Sequence, residues 1–262
     1  MMIFPTTLTM PTSIATTHKV VRCCWLSILL FLTTISSTAE AKTYLVSAGI
    51  SDYPGTQNDL ILPANDAKTI SWLYSKNTDV EYRQLLNNAA TKNAIVSAIQ
   101  TLFAQATDKD IVVFFFSGHG YPGGFYAYDN RLSYTEVRQA MARSRSKHKM
   151  IFADACYSGK LREGKNSAST SAIHAAKNAN VMLFLSSRSN ETSIERRNMK
   201  NGFFTTYLQK GLRGNADTNR DRIITAKELF NFVSKGVCSL SNNKQHPVMW
   251  GKFNDNMPVM IW

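Results

Sequence analysis

The chain has 262 residues, 44% of them apolar, with 30 Lys and Arg against 18 Asp and Glu and a formal net charge of +12. Four cysteines exclude a disulfide scaffold, and the apolar content is enough for a full α/β core. A basic surplus suits nucleic acid, anionic membranes or acidic partners. Here it is scattered (Arg143, Arg145, Lys147, Lys149, Arg196, Arg197) without aromatic interleaving, so it reads mainly as surface charge and not as a specific nucleic-acid site.

Residues 1–41 read as a signal peptide. Lys19 and Arg22 precede the apolar run Cys23 to Leu32, and Ala39-Glu40-Ala41 has the form of a signal-peptidase site. The run is short for a membrane span, which takes about 20 apolar residues; an uncleaved anchor is the alternative. Cleavage after Ala41 exports a chain of 221 residues (262 less 41) to the periplasm or the outside, with no stable membrane anchor. Losing two cations and one anion from +12 leaves it at +11. Cys156 and Cys238 are then its cysteines, either paired as a bridge or free for chemistry.

In chain order, Thr43 to Ile50 reads as a buried strand. A helix is expected from Asn65 to Tyr74, with Ala67, Ile70, Trp72, Leu73 and Tyr74 as its apolar residues. A strand follows at Tyr82 to Leu86. The next helix, Thr91 to Ala106, carries Ile95, Ile99, Leu102 and Phe103 on one face. Ile111 to Phe116 is apolar on both faces, as a central parallel strand must be. Phe125 to Tyr128 reads as a hairpin arm, Tyr134 to Arg143 as a helix, and Lys149 to Ala153 as a second central strand. Residues 158–172 are small and polar, and read as a mobile loop. A short helix, a strand (Val181 to Ser186) and a helix (Phe203 to Leu212) complete the alternation. It predicts one domain, 42–262, with a mostly parallel sheet and helices on both faces.

Two motifs follow the central strands directly and read as loops: Ser117-Gly118-His119-Gly120 and Asp154-Ala155-Cys156-Tyr157-Ser158-Gly159. Open α/β sheets bind ligands beyond the carboxyl ends of their strands. Adjacent strands would therefore place the thiol and the imidazole in one cleft. Cys156 is the candidate nucleophile and His119 the candidate general acid/base. The amides of Gly120 and Cys156 could hold an oxyanion. Either residue alone reads more readily as a turn histidine or a small buried hydrophobe; the joint placement makes the case.

These motifs resemble the histidine and cysteine motifs of the caspase-like peptidases. The aspartate two residues before the cysteine is similar to metacaspases and bacterial caspase-like proteins. The animal pattern has Gln there and a histidine about 50 residues upstream, against 37 here (156 − 119). Gly49-Ile50 with Leu62-Pro63-Ala64-Asn65-Asp66-Ala67 resembles the family's first strand and helix start, so the likeness covers about residues 43 to 212. Pro63 departs from the pattern, since many metacaspases have cysteine there. The resemblance implies a caspase-type three-layer sandwich and a cysteine endopeptidase with protein or peptide substrates. It also implies that Asp66, Ser117 and Asp154 receive an Arg or Lys P1 side chain, by charge-assisted hydrogen bonds. A first-turn helix carboxylate is the competing reading of Asp66. Lys160, Arg162 and Lys165 in 158–172 would expose such an enzyme's own cleavage sites.

Residues 217–228 resemble an EF-hand loop. Asp217, Asn219, Asp221, the Ile223 carbonyl and Glu228 are the candidate Ca2+ ligands, with Arg222 where the loop normally has Gly. The alternative is an Asx-rich turn capping the helix expected from Thr225 to Val233. No zinc spacing and no organic-cofactor motif is seen. Two rival functions stay open: a catalytically inactive module of the same fold, and a basic binder of DNA or anionic lipid whose binding would fall steeply with salt.

Overall fold

The computed structural model describes residues 41–77, 79–157, 180–187 and 198–261, with only the backbone of Asn77, Cys156 and Tyr157. The chain divides into two units, Met1–Glu40 and Ala41–Trp262. The first unit, which holds nearly all of the expected signal peptide, lies outside the described residues. So do the stretch 158–172 and the short helix expected after it. Among the described residues no helix is long and apolar enough to cross a membrane.

The second unit is built on an eight-stranded sheet. Its long path runs β2 (Val80–Leu86), β1 (Thr43–Gly49), β3 (Ile111–Tyr121), β6 (His148–Tyr157), β7 (Val181–Leu185) and β9 (Val248–Trp250). All neighbours on it are parallel except β9, which runs antiparallel to β7. The short strands β4 (Gly124–Tyr126) and β5 (Arg131–Ser133) fold back onto the end of β3. β8 (Ile223–Thr225) and β10 (Pro258–Ile261) form a separate antiparallel pair.

Alternation along the central strands feeds two cores, one on each face. Tyr44, Val46 and Ala48 of β1, with Val112, Phe114 and Phe116 of β3, face α2 (Lys92–Phe103) and α3 (Tyr134–Met141). Leu45 of β1 and Ile111, Val113 and Phe115 of β3 face α1 (Pro63–Asn77), α4 (Phe203–Lys210) and α5 (Ala226–Leu240). The expected three-layer α/β sandwich is therefore the fold. Burying each such large side chain is worth about 1.5–3 kcal/mol, so six apolar residues in succession hold β3 at the centre. Ser133 and Thr225 open α3 and α5 with capping boxes completed by Glu136 and Glu228.

Some elements differ from expectation. α1 is longer than 65–74, because Pro63 takes the first helical position, where its missing N–H costs nothing. Trp72 is 51% exposed. Ala67, Ile70, Leu73 and Tyr74 share a stripe at helical spacing, and Trp72, two residues after Ile70, falls off it. α5 runs on to Leu240, past the expected end at Val233, so Cys238 lies within it.

Candidate active site

The first motif, and the second as far as Tyr157, extend the central strands and are not loops. β3 and β6 stay paired beyond their apolar segments, with Ser117 opposite Asp154, Gly118 opposite Ala155, His119 opposite Cys156 and Gly120 opposite Tyr157. Adjacent strands run about 4.8 Å apart, so the histidine and the cysteine spring from neighbouring backbone positions at the carboxyl edge. Gly120 also pairs with Phe125 of β4, and this return strand keeps the end of β3 extended.

His119 is held by groups from the segment after β1. Its Nε2 lies 2.7 Å from the Asn58 carbonyl oxygen. A carbonyl only accepts, so in the neutral ring this nitrogen carries the proton and Nδ1 is left as the acceptor. The Tyr53 ring packs 4.8 Å from the imidazole. Its hydroxyl accepts from the His119 N–H (3.0 Å) and donates to the Tyr126 carbonyl (2.9 Å). Burial pushes the Tyr53 phenol pKa up, so it remains a donor. Any Cβ at position 118 would collide with that hydroxyl, and glycine is the residue that fits.

Asp66, Ser117 and Asp154 come together around the start of α4. Asp66, buried on α1, accepts at Oδ2 from the Ser117 hydroxyl (2.8 Å). Its Oδ1 accepts from Asn201 Nδ2 (2.8 Å) and the Gly202 N–H (3.1 Å). Burial, and then the charge of Asp154, push its carboxyl well above the usual range, against the pull of those three donors. Asp154 Oδ2 accepts from the Thr205 N–H (3.1 Å) and Oγ1 (2.8 Å). α4 begins after Gly202, which has no capping side chain, so β6 supplies the N-cap oxygen. A side chain at Gly202 would collide with Asp154 Oδ2.

The loop at 217–228 is tied to its own backbone. Asp217 accepts from the amides of Arg220 and Arg222, Asn219 from Asp221, and Asp221 from Ile223. Glu228 holds the N–H and hydroxyl of Thr218 through one oxygen and those of Thr225 through the other. These bonds keep its carboxyl below the usual range, against the burial that would raise it. Among the described residues no three acidic, histidine or cysteine side chains converge to hold a metal. Arg222 nonetheless takes the left-handed backbone (φ 68°) for which the sixth position of such a loop normally uses Gly.

Sequence reasoning missed Tyr53, Asn58, Asn201, Gly202 and Thr205. An Asn-Gly step directly before the apolar helix start at Phe203 was the available signal for the last three. Nothing local marks Tyr53 or Asn58, whose roles depend on how the segment after β1 folds back over β3.

Comparisons with known proteins bear on the family and the fold. The family model of the caspase domain matches residues 46–257. A solved protein of Geobacter sulfurreducens, GSU0716, superposes with a TM-score of 0.60 at 15% identity, over 81% of this chain and 94% of its own. Caspase-1 of Spodoptera frugiperda superposes with a TM-score of 0.57 at 15% identity, over 82% and 87%. A search of curated proteins finds no significant match. The family match spans most of the sequence and both strand-end motifs, and on it the chain belongs to the caspase-domain family.

Proposed function

We propose that this chain is an exported cysteine endopeptidase in which Cys156 is the nucleophile and His119 the general acid/base. One observation carries the reading: the β3–β6 register sets His119 opposite Cys156 while the Asn58 carbonyl anchors the imidazole by Nε2. Nδ1 is then the nitrogen that takes the thiol proton. The thiolate attacks the scissile carbonyl, forming an S–C bond, and the imidazolium passes its proton to the leaving nitrogen as the C–N bond breaks. Water then hydrolyses the thioester. The amides of Gly120 and Cys156 are the proposed oxyanion donors.

Asp154, two residues before the nucleophile in sequence and opposite Ser117 in register, supports a preference for Arg or Lys at P1. Asp66 already accepts three donors, so its part is to hold Ser117 and the start of α4 around that pocket. A panel of fluorogenic peptides varied at P1 tests the reading. Cleavage after Arg and Lys is expected, with none by Cys156→Ala. Undiminished turnover by Cys156→Ala, or cleavage after Asp, would overturn it. A protein that cleaves nothing and leaves Cys156 unalkylated by iodoacetamide would be the inactive module.

For the loop at 217–228 we propose weak calcium binding, favoured by the left-handed turn at Arg222. An ion would draw oxygens from Asp217, Asn219, Asp221, the Ile223 carbonyl and Glu228, and Glu228 would have to release Thr218. Millimolar calcium should therefore raise the melting temperature by mass action, and Glu228→Ala should abolish the rise. An unchanged melting temperature in the wild type would leave the loop as a capped turn.

A further inference from the structure

Beside His119 lies a cleft of about 780 Å³, within the size range of ligand pockets. Its walls come from residues 53–60, after β1, and 126–131, between β4 and β5. His119 is its one lining residue from the paired ends of β3 and β6. Tyr53, Leu60, Tyr126 and Tyr128 give it aromatic and aliphatic walls. The charged lining residues already have partners. Asp59 accepts from the Tyr53 N–H and Asp129 from the Lys92 N–H, while the Arg131 guanidinium lies over the rings of Tyr121 and Tyr126.

We propose that this cleft is the leaving-group subsite, taking an aromatic or large aliphatic side chain on the residue just after the scissile bond. The proposal rests on the peptidase reading above. In that reaction the imidazole must reach the leaving nitrogen, so the residue carrying that nitrogen sits on the histidine side of the bond. The nucleophile enters from β6, and the P1 side chain is directed to Asp154, where β6 meets the start of α4. This cleft reaches the paired strand ends at His119 and has none of Asp66, Ser117 and Asp154 in its lining. An apolar side chain placed there loses water against Tyr126, Tyr128 and Leu60, while the charged groups of Asp59, Asp129 and Arg131 at the cleft are exposed to solvent. The chain would thus read its substrate on both sides of the bond, by charge before it and by apolar contact after it.

The test is a set of internally quenched peptides with the best P1 residue of the panel held constant and Gly, Ala, Leu, Phe, Tyr or Asp following it. Leu, Phe and Tyr should exceed Gly in kcat/KM by about 10- to 100-fold, the range one apolar side chain yields in a pocket. Tyr128→Ala should bring the Phe-to-Gly ratio below about 3-fold. Its melting temperature, measured alongside, separates a lost wall from a lost fold, and the wild-type series stands without the variant. Cleavage that ignores the residue after the bond, or favours Asp there, overturns the subsite alone. Failure to cleave any peptide overturns the peptidase reading and the subsite with it.

Discussion

Replacing Tyr53 by Phe removes one oxygen and keeps the ring against His119. That oxygen accepts from the His119 amide and donates to the Tyr126 carbonyl, and both bonds are partly buried. Each bond is worth about 0.5–1.5 kcal/mol net, and a buried group left without a partner costs about 1–3 kcal/mol. With two groups orphaned and some access of water to both, a loss of about 2–4 kcal/mol is expected. For a domain of this size that lowers the melting temperature by roughly 4–16 °C. The loss also frees the backbone that carries the imidazole, and displacement of a catalytic group by about 1 Å can cost 100-fold in rate. Urea denaturation gives the first quantity. The second is kcat/KM against pH, measured well below the melting temperature, where a purely structural loss would leave the profile unmoved. A Tyr53→Phe protein within 0.5 kcal/mol of the wild type, with an unchanged profile, would refute the assignment of Tyr53 as a positioning residue.

Asp66→Asn tests the buried carboxylate. The raised pKa of Asp66 gives a stability contribution that is full below the ordinary carboxyl value, about 3.9, and lost as pH rises through the folded value. The stability of the variant relative to the wild type, from urea midpoints between pH 4 and 8, should therefore increase with pH; a flat or falling difference would contradict the assignment. Gly202→Ala should push Asp154 off Thr205 and uncap α4, at a cost of about 2–4 kcal/mol. Stability equal to the wild type in the same denaturation assay would show that α4 has another cap.

The fold was legible wherever burial repeats at short range. Ile111 to Phe116 could be little else than a central strand, and the spacing of Ile95, Ile99, Leu102 and Phe103 marked a helix face. The turn glycines of Ser117-Gly118-His119-Gly120 suggested a loop because glycine permits one. What keeps the segment extended is pairing with β6 and β4, a contact between distant residues that local pattern does not carry. The same limit applies at Asp66. Its type and neighbours permitted both a pocket wall and a helix carboxylate, and the donors that decide its present bonding, Asn201 and Gly202, lie about 135 positions away. β8 and β10 were missed for a related reason: each is too short for alternation to register, and they exist because they pair with each other.

The way the sheet is shared has a consequence for chain integrity. Residues 41–157 supply β1, β2, β3 and β6, while residues 180–261 supply β7, β9, α4 and α5 to the same layers. β7 pairs with β6 over five residues, Phe184 packs edge-on against Phe152, and the start of α4 is held by Asp66 and Asp154. Neither part has a complete core of its own. A cut anywhere between 157 and 180 would leave two polypeptides that bury their apolar faces only in each other. A protein nicked there would migrate as two bands in denaturant and as one particle in solution.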